Sequence, residues 1–429
     1  MAQPDDTTPD ALKDSYDPLT PVPAGARVFG ALDMFSLWFS LGLGLLVLQA
    51  GAFLVPGLSL PAAFGAILVG TVLGVLLLAG AGMVGAETGL SAMGSLRPAL
   101  GARGAAVPTV LNVVQLVGWG AFEIIAMREA ADALAKQTFG VSNAVVWTLL
   151  FGALATGLAF LGPVSFVRRF LRAWGLWLLL AGAAWLTWRL LAEHDLAALW
   201  ARPGTGEISF ASGVDLVVAM PLSWLPLIAD YTRFGRTPRA MFRGSALGYL
   251  LANVWFMGLG AAYALAVGGG EGMLIAALAA AGGGVALLLI VIDETDNTFA
   301  DIHSAAVSTA TLVRARPARL ALGFGVLCTA IALVAPLGNY ESFLLLIGSV
   351  FAPLFGVLLT DHFVVRPWRP DPNAATPGLN WAGLAAWAAG IAAYQGVGRL
   401  LPDVGATLPA FVTAALVYVA LRLPSMRTA

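Results

Sequence analysis

Long apolar runs recur along the chain, most close to the roughly 20 residues a helix needs to cross a bilayer. They fall near 28–55, 60–84, 107–134, 142–163, 170–192, 209–231, 243–268, 284–311, 318–336, 339–363, 380–398 and 404–423. Twelve spans are therefore predicted, with 271–311 the one stretch that admits a different division. The loops between them are short, and no low-complexity linker interrupts them. The expected organisation is a disordered cytoplasmic tail over residues 1–25, a single transmembrane domain over 26–423, and a cytoplasmic tail over 424–429. The first tail is polar, with Asp5, Asp6, Asp10, Lys13 and Asp14, and has no apolar region of the kind a signal peptide carries.

Composition leads to the same class. Apolar residues make up 59% of the chain and charged residues 11%, with a mean hydropathy of +0.85. A soluble domain is nearer a quarter charged. Lipid removes the contradiction, because apolar side chains can then face outward.

Charge orients the spans. Eighteen of the 23 Lys and Arg residues fall on the side that holds both termini, among them Arg27, Arg97, Arg103, Arg168, Arg169, Arg172, Arg233, Arg236, Arg314, Arg366, Arg369 and Arg422. The other side has Arg128, Lys136, Arg189, Arg202 and Arg399. By the positive-inside rule both termini are expected in the cytoplasm, with the protein in the cell membrane. A net charge of −1 speaks against a nucleic-acid partner. The single Cys328 excludes an intrachain disulfide, and the scattered His194, His303 and His362 make no metal motif.

Polar groups inside the spans are then the natural place to look for function, because burying them in a membrane is costly. The eighth span carries the densest set, Asp293-Glu294-Thr295-Asp296-Asn297-Thr298-Phe299-Ala300-Asp301-Ile302-His303-Ser304. At helical spacing Asp293, Asp296, Asn297 and Asp301 share a face, which must look onto a cavity or the bundle interior rather than lipid. The alternative is that 293–304 is a loop between two short helices. In the third span Trp119 and Glu123 are four residues apart and so lie on one helix face. An indole is a platform for a planar ring, and a carboxylate beside it accepts N–H bonds. The alternative is a core tryptophan and a Glu123 paired with Arg128.

Two spans carry helix breakers. The first has Ser40, Gly42 and Gly44 at mid-depth, and the sixth has Pro221 and Pro226 on either side of Ser223-Trp224. Interrupted helices five spans apart point to the site of a secondary transporter with an inverted repeat. Ordinary kinks and close packing are the competing explanation. The segment Asp230-Tyr231-Thr232-Arg233-Phe234 is expected to be a helix end with interfacial anchors, and Arg97–Gly104 a basic turn.

These residues, in this order, resemble the nucleobase:cation symporter-1 family, which includes cytosine, allantoin, hydantoin and hydroxymethylpyrimidine permeases. The likeness runs from Trp38 to about Arg366. It is carried by Trp38-Phe39-Ser40, Gly118-Trp119 with Glu123, Ala229-Asp230-Tyr231-Thr232-Arg233-Phe234, Asn297-Thr298-Phe299-Ala300-Asp301, and Asp361-His362-Phe363. It implies an all-α polytopic membrane protein of twelve transmembrane helices, with a five-plus-five inverted-repeat, LeuT-like core and broken helices 1 and 6. By resemblance the substrate site comprises Trp119, Glu123, Gly44, Pro221, Trp224, Asn297 and Asp301. A sodium site would fall on Ser40, Leu43, Ile292, Thr295 and Asp296. The family often has Gln where this chain has Glu123, an amide where it has Asp301, and a hydroxyl where it has Asp296. The first two departures imply a substrate rich in donors; the third leaves Na+ or H+ as the coupling ion. No cofactor and no enzymatic activity are expected, and the partners are a small pyrimidine-like substrate and the lipid bilayer. An intramembrane enzyme using Asp293 and Asp301 as acid and base, or a channel lined by the eighth-span acids, are the readings from other classes.

Overall fold

A computed structural model describes residues 17–165, 167, 171–172, 175–268, 284–335, 340–368 and 376–427. Expectations placed on residues 1–16, on Arg168, Arg169 and Arg369, and on residues 428–429 lie outside the described residues. So do the side chains of Ile292, Asp293 and residues 424–427.

Every one of the twelve apolar runs contains helix. Numbering the helices that occupy them, the first run holds α1 (Ala31–Ser40) and α2 (Leu45–Ala52). Then come α3 (Leu60–Thr88), α4 (Ala106–Phe139), α5 (Ala144–Leu161) and α6 (Leu176–Glu193). The sixth run holds α7 (Phe210–Ser223) and α8 (Leu225–Thr232), followed by α9 (Pro238–Val267) and α10 (Gly284–Ala310). The last four are α11 (Pro317–Val334), α12 (Tyr340–Thr360), α13 (Trp381–Leu400) and α14 (Thr407–Arg427). No strand occurs among the described residues; one isolated bridge joins Phe29 and Gly235. The eighth run is one continuous helix through Asp293–Ser304, so the loop alternative is excluded.

Local chemistry sets the helix ends. Ser59, Asn143, Ser209 and Thr237 each accept a backbone N–H at the start of α3, α5, α7 and α9. Gly89 and Gly140, with φ of 69° and 68°, end α3 and α4 in the left-handed conformation that glycine takes without a steric penalty. Between the ends, apolar residues cover the outer faces. The apolar stretch of α11 is only 22% buried, whereas that of the sixth span is 83% buried. Side chains such as Leu76, Val114, Val326 and Leu416 point outward, an arrangement that suits lipid. Among the described residues, seven helical segments, α7 with α8 counted as one, are long and apolar enough to cross a membrane, and the bent α1–α2 pair makes an eighth.

The packing pattern carries an internal symmetry. Span one packs on span seven and span six on span two, through α1–α9 and α7–α3. Span four touches span eight and span nine touches span three, through α5–α10 and α11–α4. The pairs two–seven, three–eight and four–nine map onto themselves when each span number is shifted by five. That is the signature of two five-helix halves related by an inverted repeat. Spans eleven and twelve stand apart, packed on each other with α14 also against α12.

Three local expectations change. Residues 17–25, expected to be part of a disordered tail, are held against the end of α3: Val22 N–H donates to Gly89 O at 3.0 Å, and Arg27 Nη1 to Ala86 O at 2.8 Å. Asp230–Phe234 are not interfacial anchors but are buried. Asp230 Oδ1 accepts Ala92 N–H at 2.9 Å, and Phe29 N–H donates to Phe234 O at 2.9 Å. Arg97–Leu100 is a short helix rather than a turn, and the chain after it pairs with Pro377–Asn380 before α13. In each case a polar terminus or connection finds its hydrogen bonds in a distant segment, which local sequence does not display.

Candidate functional site

The site grows from α4 and α10, which pack side by side as one of the self-mapping pairs. Gly120 lets α4 close on α11, since a Cβ there would stand 3.1 Å from Cys328 Sγ, and leaves it in ordinary contact with α10, 3.7 Å from Asp301 Cβ. The four-residue spacing then turns Trp119 and Glu123 of α4 toward Asn297 and Asp301 of α10. Met220, Ser223 and Trp224 at the end of α7, with Leu46 and Val47 of α2, close the remaining walls. The space between is about 20 Å³, room for a water rather than a ring, so an aromatic substrate enters only when the walls part.

Trp119 is fixed from behind by Phe343 and Phe122, at ring-centroid distances of 5.3 Å and 6.4 Å in edge-to-face geometry. Glu123 is not paired with Arg128, which instead bonds Glu129 at 2.7 Å and Ala332 O at 2.7 Å. Glu123, Asn297 and Asp301 are 3%, 3% and 1% exposed. Three of their atoms, Glu123 Oε2, Asn297 Oδ1 and Asp301 Oδ2, are buried with no protein N–H or hydroxyl bonded to them, and the carboxyl groups of Glu123 and Asp301 face each other. Buried polar atoms of this kind are rare and call for an explanation. All three line one cavity.

The other expected residues are placed as follows. Trp224 lines the cavity, donates from Nε1 to Tyr249 OH at 3.0 Å, and meets Trp38 edge-on at 6.1 Å. Gly44 stands against Glu294 and Asn297 just behind the cavity wall. Pro221 faces away, its ring against Gly74 of α3. Of the ion-site candidates, Ser40 Oγ donates to Asp296 Oδ2. Leu43 lies in the break between α1 and α2, its N–H on Ser40 O at 2.8 Å. The Thr295 hydroxyl lies 3.1 Å from Val291 O and 3.4 Å from Met127 Sδ of α4. The cavity walls Leu46, Val47, Met220 and Ser223 went unmarked in the sequence. Only Ser223 carried a signal, a hydroxyl between two prolines.

The family described as permease for cytosine/purines, uracil, thiamine, allantoin matches residues 21–418. The chain belongs to this permease family. Over 94% of its length it is 23% identical to the hydantoin permease of Microbacterium maritypicum, covering 86% of that protein. Over 90% of its length it is 25% identical to the cytosine permease of Escherichia coli strain K12, covering 89% of it. Among solved structures, it is similar to a nucleobase-cation-symport-1 family transporter in a closed conformation with bromovinylhydantoin bound. The TM-score is 0.82 at 20% identity, covering 96% of both chains. A Na+-coupled sialic acid symporter in a substrate-bound outward-open state aligns with a TM-score of 0.68 at 12% identity, over 98% of this chain and 93% of that one. The permease thus has the twelve-helix, LeuT-like fold, and its relatives are transporters rather than enzymes.

Proposed function

We propose that this permease is a cation-coupled symporter that imports an aminopyrimidine, such as hydroxymethylpyrimidine or cytosine. The observation that carries the reading is the set of three oxygens, Glu123 Oε2, Asn297 Oδ1 and Asp301 Oδ2, that no protein N–H or hydroxyl serves and that line one cavity beside Trp119. The exocyclic amino group supplies donors these atoms lack, and the neighbouring ring nitrogen supplies a further one once it takes a proton from the carboxyl beside it, while the indole stacks on the ring. A ring edge rich in carbonyls would set acceptor against acceptor, and such mismatches in a buried site are strongly rejected. Trp224 bounds the ring's far side, and Gly44 and Pro221 serve the site through the backbone at the two helix interruptions.

Beside the cavity, Ser40 and Asp296, with Leu43, Ile292 and Thr295, take the coupling ion as a co-substrate. A carboxylate held by a hydroxyl accommodates Na+ or H+, and the gradient that drives uptake separates the two. The arginine-rich side with both termini faces the cytoplasm, and the protein resides in the cell membrane.

A different ring is the second reading, supported by the hydantoin permease among the relatives: a purine, uracil, hydantoin or allantoin. Uptake of labelled cytosine into proteoliposomes, challenged with unlabelled rings, tests both. Hydroxymethylpyrimidine and unlabelled cytosine are expected to compete, and hydantoin and uracil to compete weakly. If hydantoin competes best, the donor-matching argument is wrong. Recovery of unaltered cytosine, with saturable and gradient-dependent uptake, also separates the symporter from an intramembrane enzyme or a channel.

A further inference from the structure

Glu294 was not among the site residues expected from sequence, yet it is fully buried and reaches from α10 into the break of the first span. Its Oε1 accepts the N–H groups of Leu45 and Leu46, the latter at 3.3 Å, and its Oε2 accepts Asn297 Nδ2 at 3.1 Å. Three donors converge on one carboxyl group, which is the bonding pattern of a carboxylate. Leu45 and Leu46 open α2, whose N-cap Gly44 has no side chain to satisfy them. The free N–H groups of a helix start, with the positive end of its dipole, attract an anion. Here the chain supplies that anion itself. Gly44 makes room for it, since a Cβ at that position would lie 2.8 Å from Glu294 Oε1 and 3.0 Å from Asn297 Nδ2.

This arrangement has a consequence for the cavity. An asparagine amide is a donor at one end and an acceptor at the other. With Nδ2 committed to Glu294, Asn297 presents Oδ1 to the cavity, the atom left without a partner. We propose that Glu294 is a specificity-determining positioning residue: by occupying the N-terminus of α2 and holding the Asn297 amide, it makes the cavity accept hydrogen bonds and so select donor-rich, non-anionic rings. The proposal rests on the aminopyrimidine reading for which rings are favoured, but its mechanism is a statement about the orientation of one amide.

The Glu294→Gln variant separates the two. Its carbonyl oxygen still accepts from Leu45 and Leu46, but its NH2 then faces Asn297. Asn297 turns over to accept from it and offers NH2 to the cavity, converting one of three acceptors into a donor. The ratio of apparent affinities for cytosine over uracil, read from ligand-dependent thermal shifts of the purified full-length protein, is expected to fall roughly tenfold, as the loss of one buried hydrogen-bond match produces. In Glu294→Ala the α2 N-terminus is left open. Formate is expected to fill it, raising the melting temperature of that variant and leaving the wild type unmoved. A wild type that binds uracil better than cytosine would sink the aminopyrimidine reading alone, provided Glu294→Gln still shifts the ratio toward uracil. An unchanged ratio in Glu294→Gln, or a Glu294→Ala protein indifferent to formate, overturns the role of Glu294.

Discussion

The two interrupted spans solve the same topological problem with different chemistry. In the first, α1 and α2 are bent by 60°, and the break runs through Gly44 in a fully extended conformation, φ −154° and ψ 163°. In the sixth, the interruption is confined to Trp224, which keeps near-helical angles of φ −86° and ψ −11°, and α7 and α8 together pass as a single 23-residue span. In a helix interior proline is the stronger breaker. Pro226, however, lies in the first turn of α8, where a missing N–H costs nothing, and the carbonyl of Leu222, four residues before it, accepts Trp224 N–H instead. Glycine acts differently. It lets a foreign side chain come within contact of the backbone, and the carboxylate of Glu294 then serves α2 as its missing cap. The comparison shows that a break is defined less by the residue that interrupts the helix than by what satisfies the freed backbone groups.

Substitutions can break this asymmetry. The largest effect is expected at Gly44→Val, whose side chain takes the space of Glu294 Oε1 and strands the Leu45 and Leu46 N–H groups. Cytosine uptake should drop by at least about tenfold, the consequence of leaving buried donors unsatisfied, and retention of wild-type uptake would refute the cap. A middle effect is expected at Trp224→Phe. Losing the buried bond to Tyr249 OH should lower stability by about 1 kcal/mol, read from thermal or denaturant unfolding. The smallest is expected at Pro226→Ala. Any residue there keeps the carbonyl that Asn112 holds, so stability should change by no more than about 1 kcal/mol and uptake should persist. If Pro226→Ala proved as damaging as Gly44→Val, the two interruptions would be alike after all.

How much could be read beforehand follows from the range of each interaction. The helices and the faces of α4 and α10 were legible because Trp119 with Glu123, and Asn297 with Asp301, are related by four-residue spacing within one element. Pro221 shows the limit. It lies near the break of the sixth span, but its side chain packs on Gly74 of another span, leaving Met220 and Ser223 to line the cavity. Glu294 shows the converse. It sat in plain view in the acidic stretch, yet its neighbours Asp296, Asn297 and Asp301 drew the chemistry, because nothing local indicates where a glutamate will reach.

The sequence by itself therefore determined the solvent, the twelve spans and which helix faces are polar, since run length and helical period are properties of contiguous residues. Tertiary structure alone decided which atoms of those faces remain available. Glu294 meets Leu45 across 249 positions of chain, and only that meeting turns Asn297 and leaves its oxygen, with those of Glu123 and Asp301, facing the cavity. Hydrogen bonds are directional and are used up pairwise, so the polarity of a buried site depends on the partners that folding brings to it.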